Sequence, residues 1–311
     1  MKFSIYQESR RGGRKTNQDR LAYSYSRDAL ILILADGMGG HLHGEVAAQI
    51  AVQFVTEAFE REAKPKLADP FLFLVKSITD SHQAILDYAG TRQLGDSPRT
   101  TCVACIVQDS IAYWAHVGDS RLYLTRNGHV QVQTKDHSRV QMLVDAGRIR
   151  EEAVAVHPER NKIYNCLGSH VPPQVDISRK TVLHEGDTLL LCSDGLWGPL
   201  NSRIIGAALL NGDIMKAIPN LMSQAEARAG KDSDNISAVA IKWLESYPEA
   251  PLPGDVSTQT LELGQFTTQL EDFGRTQPDI GRGGDLSDEE IERAIAEIRT
   301  ALRKHTGKPP P

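Results

Sequence analysis

The chain has 311 residues, 40% of them hydrophobic and 24% charged, with a net charge of −5. That length implies one large domain plus an appendage, or two domains. Glycine and proline are used at ordinary frequency, which excludes collagen-like and wholly disordered classes, and no dense Lys/Arg block is present to hold duplex nucleic acid by phosphate neutralisation. The 4 cysteines, Cys102, Cys105, Cys166 and Cys192, are too few for a disulfide scaffold. Cys102 and Cys105 form a C-x-x-C inside the apolar stretch Thr101–Val107 and read as buried, reduced thiols. Met1 to Asn17 lacks the apolar core of a signal peptide. The longest strongly apolar run, Ala29–Ala35, is far short of the roughly 20 residues a membrane span needs. The expectation is a cytoplasmic protein with no membrane or nucleic-acid partner.

In chain order, Ala29–Ala35, Val103–Val107, Ile111–Val117 and Thr188–Cys192 are short, branched-apolar runs bounded by Gly, Asp or Ser, and read as strands. The first and last lack polar alternation, so both faces should be covered; periodicity leaves open whether helices or a second sheet do the covering. Glu45–Phe59 places Val46, Ile50, Phe54 and Ala58 on one helical face. Asp69-Pro70 predicts an N-cap and first helical residue, opening a helix to about Tyr88. A third helix is predicted over Ser138–Ala146, stopped by Gly147. Tyr123–His129 reads as a hairpin turning on Asn127-Gly128. Residues 1–245 form the domain these elements build, and 246–285, with Pro248, Pro251 and Pro253, read as linker. Ser287–Glu290 makes a capping box before the stripe Ile291, Ile295, Ile298 and Leu302, predicting an amphipathic helix over 286–304.

One pattern recurs along the domain. Asp36-Gly37, Asp119 and Asp194-Gly195 each follow an apolar run, and Asp234-Asn235 precedes the run Ile236–Ile241. Neighbouring strands would bring these acids to one rim, where their repulsion favours hard divalent cations such as Mg²⁺ or Mn²⁺. A lone Asp-Gly after a strand is an ordinary turn, so the spacing alone admits a metal site without requiring one.

The same segments carry a resemblance. Arg14-Lys-Thr-Asn-Gln-Asp19, the glycine-rich stretch Asp36–Glu45, Pro98–Thr101, Val117–Arg121, Asp136–Ser138, His157-Pro158, Leu167-Gly168, Cys192–Trp197 and Asp234-Asn235 occur in the order and at the separations of the metal-dependent Ser/Thr protein phosphatases of type 2C, the PPM family, in their bacterial form. The chain resembles that family over about 230 residues.

The resemblance implies an α+β fold, a four-layer αββα sandwich of two antiparallel β-sheets flanked by helices. It implies a catalytic domain over 1–245 holding two Mn²⁺ or Mg²⁺ ions. Asp36 would bridge them, with the Gly37 carbonyl, Asp194 and Asp234 as further ligands. Asp119, with Asp194, would serve a weaker third metal, and Asp19, Gln18 and Asn235 would lie behind the ligands. Arg14 is similar to the family's phosphate-clamping arginine, so Arg14, Asp36, Asp194 and Asp234 form the expected catalytic set. The implied reaction is hydrolysis of phosphoserine and phosphothreonine in proteins by a hydroxide bridging the metals, opposing a bacterial Ser/Thr kinase in signalling, with no cysteine nucleophile.

Three positions depart from the family pattern. Gln18 stands where many relatives have Glu, Asn165-Cys166 replaces a common Arg-Ala pair in the flap over 138–170, and Met38 replaces a His of eukaryotic relatives. Thr100 and Thr101 read as supports of the site or as ordinary strand residues. His41 and His43 read as helix-start contacts, and His137 and His157 as loop anchors. The tail helix should bury its stripe by folding back, by self-association, or in a partner, because a helix of about 17 residues is marginal alone. A non-catalytic scaffold is the rival reading, but it should have lost core acids that are all present here.

Overall fold

The fold is described from a computed structural model that defines residues 1–38, 43–150, 153–154, 157–160, 162–210 and 213–244, and the backbone of 257–260. Two antiparallel sheets stack face to face. The first has five strands in the order β1 (Phe3–Arg10), β11 (Ile236–Trp243), β10 (Thr188–Cys192), β6 (Arg121–Arg126) and β7 (His129–Gln133). The second has seven. It runs β12 (Ser257–Thr260), β2 (Asp19–Tyr25), β3 (Ala29–Asp36), β4 (Cys102–Gln108), β5 (Ile111–Val117) and β8 (Asp176–Ile177), with β9 (Thr181–Val182) also on β5.

The predicted run Ala29–Ala35 shows why two covered faces need no polar alternation. Leu30, Leu32 and Leu34 point between the sheets, meeting Leu122, Leu189, Leu191 and Val239 from the first. Ile31, Ile33 and Ala35 point outward against α1 (Gly44–Glu62) and α2 (Pro70–Thr91). A third core seals the outer face of the first sheet under α4 (Asp194–Trp197), α5 (Ser202–Ala208) and α6 (Ile214–Ala229). Helices and a second sheet thus both do the covering, and the expected αββα sandwich is the observed one. Among the described residues no helix is long and apolar enough to cross a membrane.

Local signals act as expected. Asp69 Oδ1 accepts the N–H groups of Phe71 and Leu72, each at 3.0 Å, with Pro70 opening α2. Ser138 Oγ accepts Gln141 N–H at 3.3 Å to cap α3 (Arg139–Asp145), and Gly147 follows at φ 66°. Asn127 and Gly128, at φ 50° and 74°, form the turn between β6 and β7. All 4 cysteines are free and buried.

The linker expectation is corrected at one place: Ser257–Thr260 is a strand on β2. Without it β2 would present an open edge of unpaired backbone groups, which a short extended segment satisfies. The amphipathic helix expected over 286–304, the rest of the 246–285 linker, and His41 lie outside the described residues.

Candidate active site

The four acids leave the sheets at one end and line a single cleft of about 550 Å³: Asp36, Asp119, Asp194 and Asp234, with Gly37 and Arg14. Gln18, Met38, Thr101 and Asn235 are also part of the wall. Asp36 is the last residue of β3, opposite Asp19, the first residue of β2. Asp119 sits in the β5–β6 connection, Asp194 opens α4, and Asp234 precedes β11.

Backbone contacts hold this end of the sandwich tightly. The Asp36 N–H donates to Thr101 Oγ1 at 3.0 Å, and its carbonyl accepts the Thr101 N–H at 2.9 Å and the Thr100 hydroxyl at 2.8 Å. Thr100 and Thr101 are therefore supports of the site. A Cβ on Gly37 would lie 2.4 Å from the Gly44 carbonyl oxygen and 2.8 Å from that of Gln18, so only glycine lets helix α1 begin this close to the Asp36 strand end.

Mutual repulsion in a buried setting marks the carboxylates. Burial, then Asp19 and Asp194, pushes the Asp36 carboxyl well above the usual range. Burial, then Asp194, does the same to Asp119. Asp194 is raised to about 7 by burial and then by Asp234 and Asp19, and Asp19 to about 6, chiefly by burial. Asp19 lies fully buried behind the cleft; its Oδ2 accepts the Ser193 hydroxyl at 2.8 Å, while its Oδ1 has no hydrogen-bond partner among the described residues. The donor set is oxygen only, anionic, and includes one orphaned buried oxygen. That is an arrangement completed by hard divalent cations and their waters.

Arg14 faces this acidity from the mouth. Its Nε and Nη2 grip Asp234 Oδ1 and Oδ2 at 2.8 and 2.6 Å, a bidentate pair that raises the Arg14 pKa further. The loop that carries it is stapled by Asn235. The Asn235 Oδ1 accepts Gln18 N–H at 2.9 Å, and Nδ2 donates to the carbonyls of Arg11 at 2.8 Å and Thr16 at 2.9 Å. Gln18 itself turns to Glu45, Nε2 to Oε2 at 2.9 Å.

The sequence profile of the family described as Protein phosphatase 2C matches residues 7–228. The chain belongs to the protein phosphatase 2C family. It is 37% identical over 219 residues to the serine/threonine phosphatase stp of Listeria innocua, covering 68% of this chain and 84% of that one. It is 33% identical over 226 residues to the serine/threonine protein phosphatase PstP of Mycobacterium tuberculosis, covering 72% of this chain and 42% of that one. Among solved structures, the Streptococcus agalactiae serine/threonine phosphatase superposes with a TM-score of 0.70 at 30% identity, over 78% of this chain and all (100%) of that one. The catalytic domain of a PstP in complex with 2 manganese ions superposes with a TM-score of 0.66 at 30% identity, over 78% of this chain and 99% of that one.

Several members of the site escape sequence reasoning. Trp197 Nε1 donates to the Asp119 carbonyl at 3.0 Å, and the Arg121 guanidinium lies 3.5 Å from the Trp197 ring centroid. Arg121 in turn grips buried Asp136 at 2.8 Å through both Nε and Nη2. Ser193, Trp197 and Arg121 lie inside the 2C motifs, so position in a motif was their only signal; Glu45 ends another.

His137 is a loop anchor, as expected. Its Nδ1 accepts the Gly118 N–H at 3.1 Å, so its proton sits on Nε2, 3.2 Å from Asp176 Oδ2. His116, His137 and Asp176 bring their ligand atoms within 4.8 Å of one another, yet the cluster is a latch rather than a metal site. The two imidazoles stack at 14°, and the in-plane lone pairs of parallel rings do not converge on one ion. Asn165 joins the latch by donating to His137 Nδ1 at 2.8 Å and the Gln174 carbonyl at 2.7 Å. His157 Nδ1 accepts the Glu159 N–H at 3.1 Å, again anchoring a loop. His43 stands just before α1 with Nδ1 at 3.8 Å from Glu45.

Proposed function

We propose that this chain hydrolyses phosphoserine and phosphothreonine in proteins, using divalent cations held between its sheets and reversing the work of a Ser/Thr kinase. The observation that carries the reading is the convergence of Asp36, Asp119, Asp194 and Asp234 on one cleft with Arg14 at its mouth. Asp36, the Gly37 carbonyl, Asp194 and Asp234 would hold two Mn²⁺ or Mg²⁺ ions, as the manganese-bound relative's family membership suggests, and Asp119 with Asp194 a third. Such ions supply neutralising charge and a water acidic enough to act as nucleophile near neutral pH.

The chain's own residues do the rest. The Asp36–Gly37 backbone, pinned by Thr100 and Thr101, fixes where the ligand oxygens start. The unpartnered Oδ1 of Asp19 is the acceptor behind the ligands that can orient a water's hydrogen. Arg14, half-exposed and oriented by Asp234 through Nε and Nη2, keeps its Nη1 side for a phosphate edge. No cysteine is a nucleophile in this reading: burial pushes the Cys102 thiol up to about 12 and those of Cys105 and Cys192 higher still. Four unpaired thiols also suit the reducing cytoplasm in which we place the protein.

The test is direct. Purified protein should turn over p-nitrophenyl phosphate and a phosphothreonine peptide with Mn²⁺ and stop in EDTA. Asp36→Asn and Asp194→Asn should each lose at least about 100-fold. Full turnover by EDTA-stripped protein would overturn the metal chemistry.

A further inference from the structure

Cations crowd the end of β1 and the loop after it: Arg10, Arg11, Arg14 and Lys15, in a chain whose net charge is −5. Two of them are engaged. Arg10 grips Glu8 and Glu226, and Arg14 grips Asp234. Arg11 and Lys15 are exposed and enter no ion pair among the described residues. Lys15 lines the cleft beside Arg14.

The loop is built rather than adaptable. Asn235 donates to the carbonyls of Arg11 and Thr16, and the Gly13 N–H donates to the Ser233 carbonyl at 2.9 Å. A Cβ on Gly12, at φ 63°, would run into the Asp234 carbonyl oxygen. The positive charges are therefore carried on a fixed backbone at the mouth. Nearby Lys231 and Asp232 are both exposed and offset each other. The flap adds to the excess: Ile163 lines the cleft, and its neighbour Lys162 shares the single carboxylate of Glu159 with Arg139, each at 2.8 Å.

We propose that this rim selects phosphoproteins with acidic residues beside the phosphorylated Ser or Thr, with Arg11 and Lys15 as the specificity-determining pair. An extended peptide advances about 3.3 Å per residue. With its phosphate against Arg14, carboxylates one to three positions away come over the loop that carries both cations. A basic segment meets like charge there and is disfavoured. Single exposed charge pairs are weak, so the effect is a preference among substrates. The proposal deepens the phosphatase reading above, in which divalent cations balance the cleft acids, and it rests on that reading.

A panel of phosphothreonine peptides carrying Glu, Gln or Lys at the flanking positions, on one side or the other, tests this in the full-length protein with Mn²⁺ at low salt. KM should be lower for a Glu-flanked peptide than for its Gln-flanked match by about threefold to tenfold. High ionic strength should bring that ratio towards one. The double variant Arg11→Gln, Lys15→Gln should lose the preference. Arg11→Glu with Lys15→Glu should invert it in favour of the Lys-flanked peptide, a reversal that a merely structural role for the loop would not produce. A wild-type ratio of one, or variants that keep the wild-type preference, overturns the proposal. Protein that leaves every phosphopeptide intact sinks the phosphatase reading; Kd values for the same intact panel, from fluorescence anisotropy, then decide by the same ratios whether the rim selects acidic ligands.

Discussion

Asn235 offers a sharp test, because one buried side chain holds the loop that presents Arg14. It is 7% exposed and makes three hydrogen bonds across the fold, to Gln18 N–H and to the carbonyls of Arg11 and Thr16. Asn235→Ala deletes all of them. At about 1 kcal/mol net for each, the cost should be about 3 kcal/mol. For a domain of this size that lowers the melting point by about 6–12 °C. Asn235→Asp should be no milder despite its shape, since it sets a second carboxylate oxygen against two carbonyls. Urea and thermal unfolding supply the stability, and a phosphate-ester KM should rise as Arg14 loses its frame. A loss below about 0.5 kcal/mol with unchanged KM would show that Gly13 N–H to the Ser233 carbonyl, at 2.9 Å, suffices to hold the loop, and the reasoning fails.

Other expectations follow from the same packing. Arg121→Lys keeps the charge but loses the fork on Asp136 and the plate over Trp197. We expect about 2 kcal/mol of destabilisation, less than the ~3–5 kcal/mol for removing a buried partner, with a shift in tryptophan fluorescence; a wild-type melt would contradict it. None of the 4 cysteines should react with a thiol reagent in the folded protein, and all should react in urea; native labelling within minutes would contradict their burial. Burial holds His82 below the ordinary imidazole range, and its Nδ1 accepts the Gly168 N–H at 3.1 Å. The unfolded chain binds this proton first as pH falls below about 6.5, so stability is full above that pH and declines beneath it. His82→Gln should flatten that decline in calorimetry between roughly pH 7.5 and 5; an unchanged slope would refute it.

The sequence by itself determined the parts whose causes are local. Alternating Leu and Ile over Ala29–Ala35 dictated a strand buried on both faces, Asp69-Pro70 and Ser138 dictated helix starts, and Asn127-Gly128 dictated a turn. The motifs put the acids at strand ends and named the family. Other elements left weak marks: β1 is mostly half-buried, so it shows little contrast between faces, and α6 contains Pro219. The tertiary structure alone decided what meets what. Ser193 reaches Asp19 across 174 positions and Asn235 reaches Gln18 across 217, and the edge of β2 drew Ser257–Thr260 out of an apparent linker. Periodicity records how one segment meets water. A hydrogen bond between distant segments depends on the register of strands and the path of loops, which no single stretch of chain encodes.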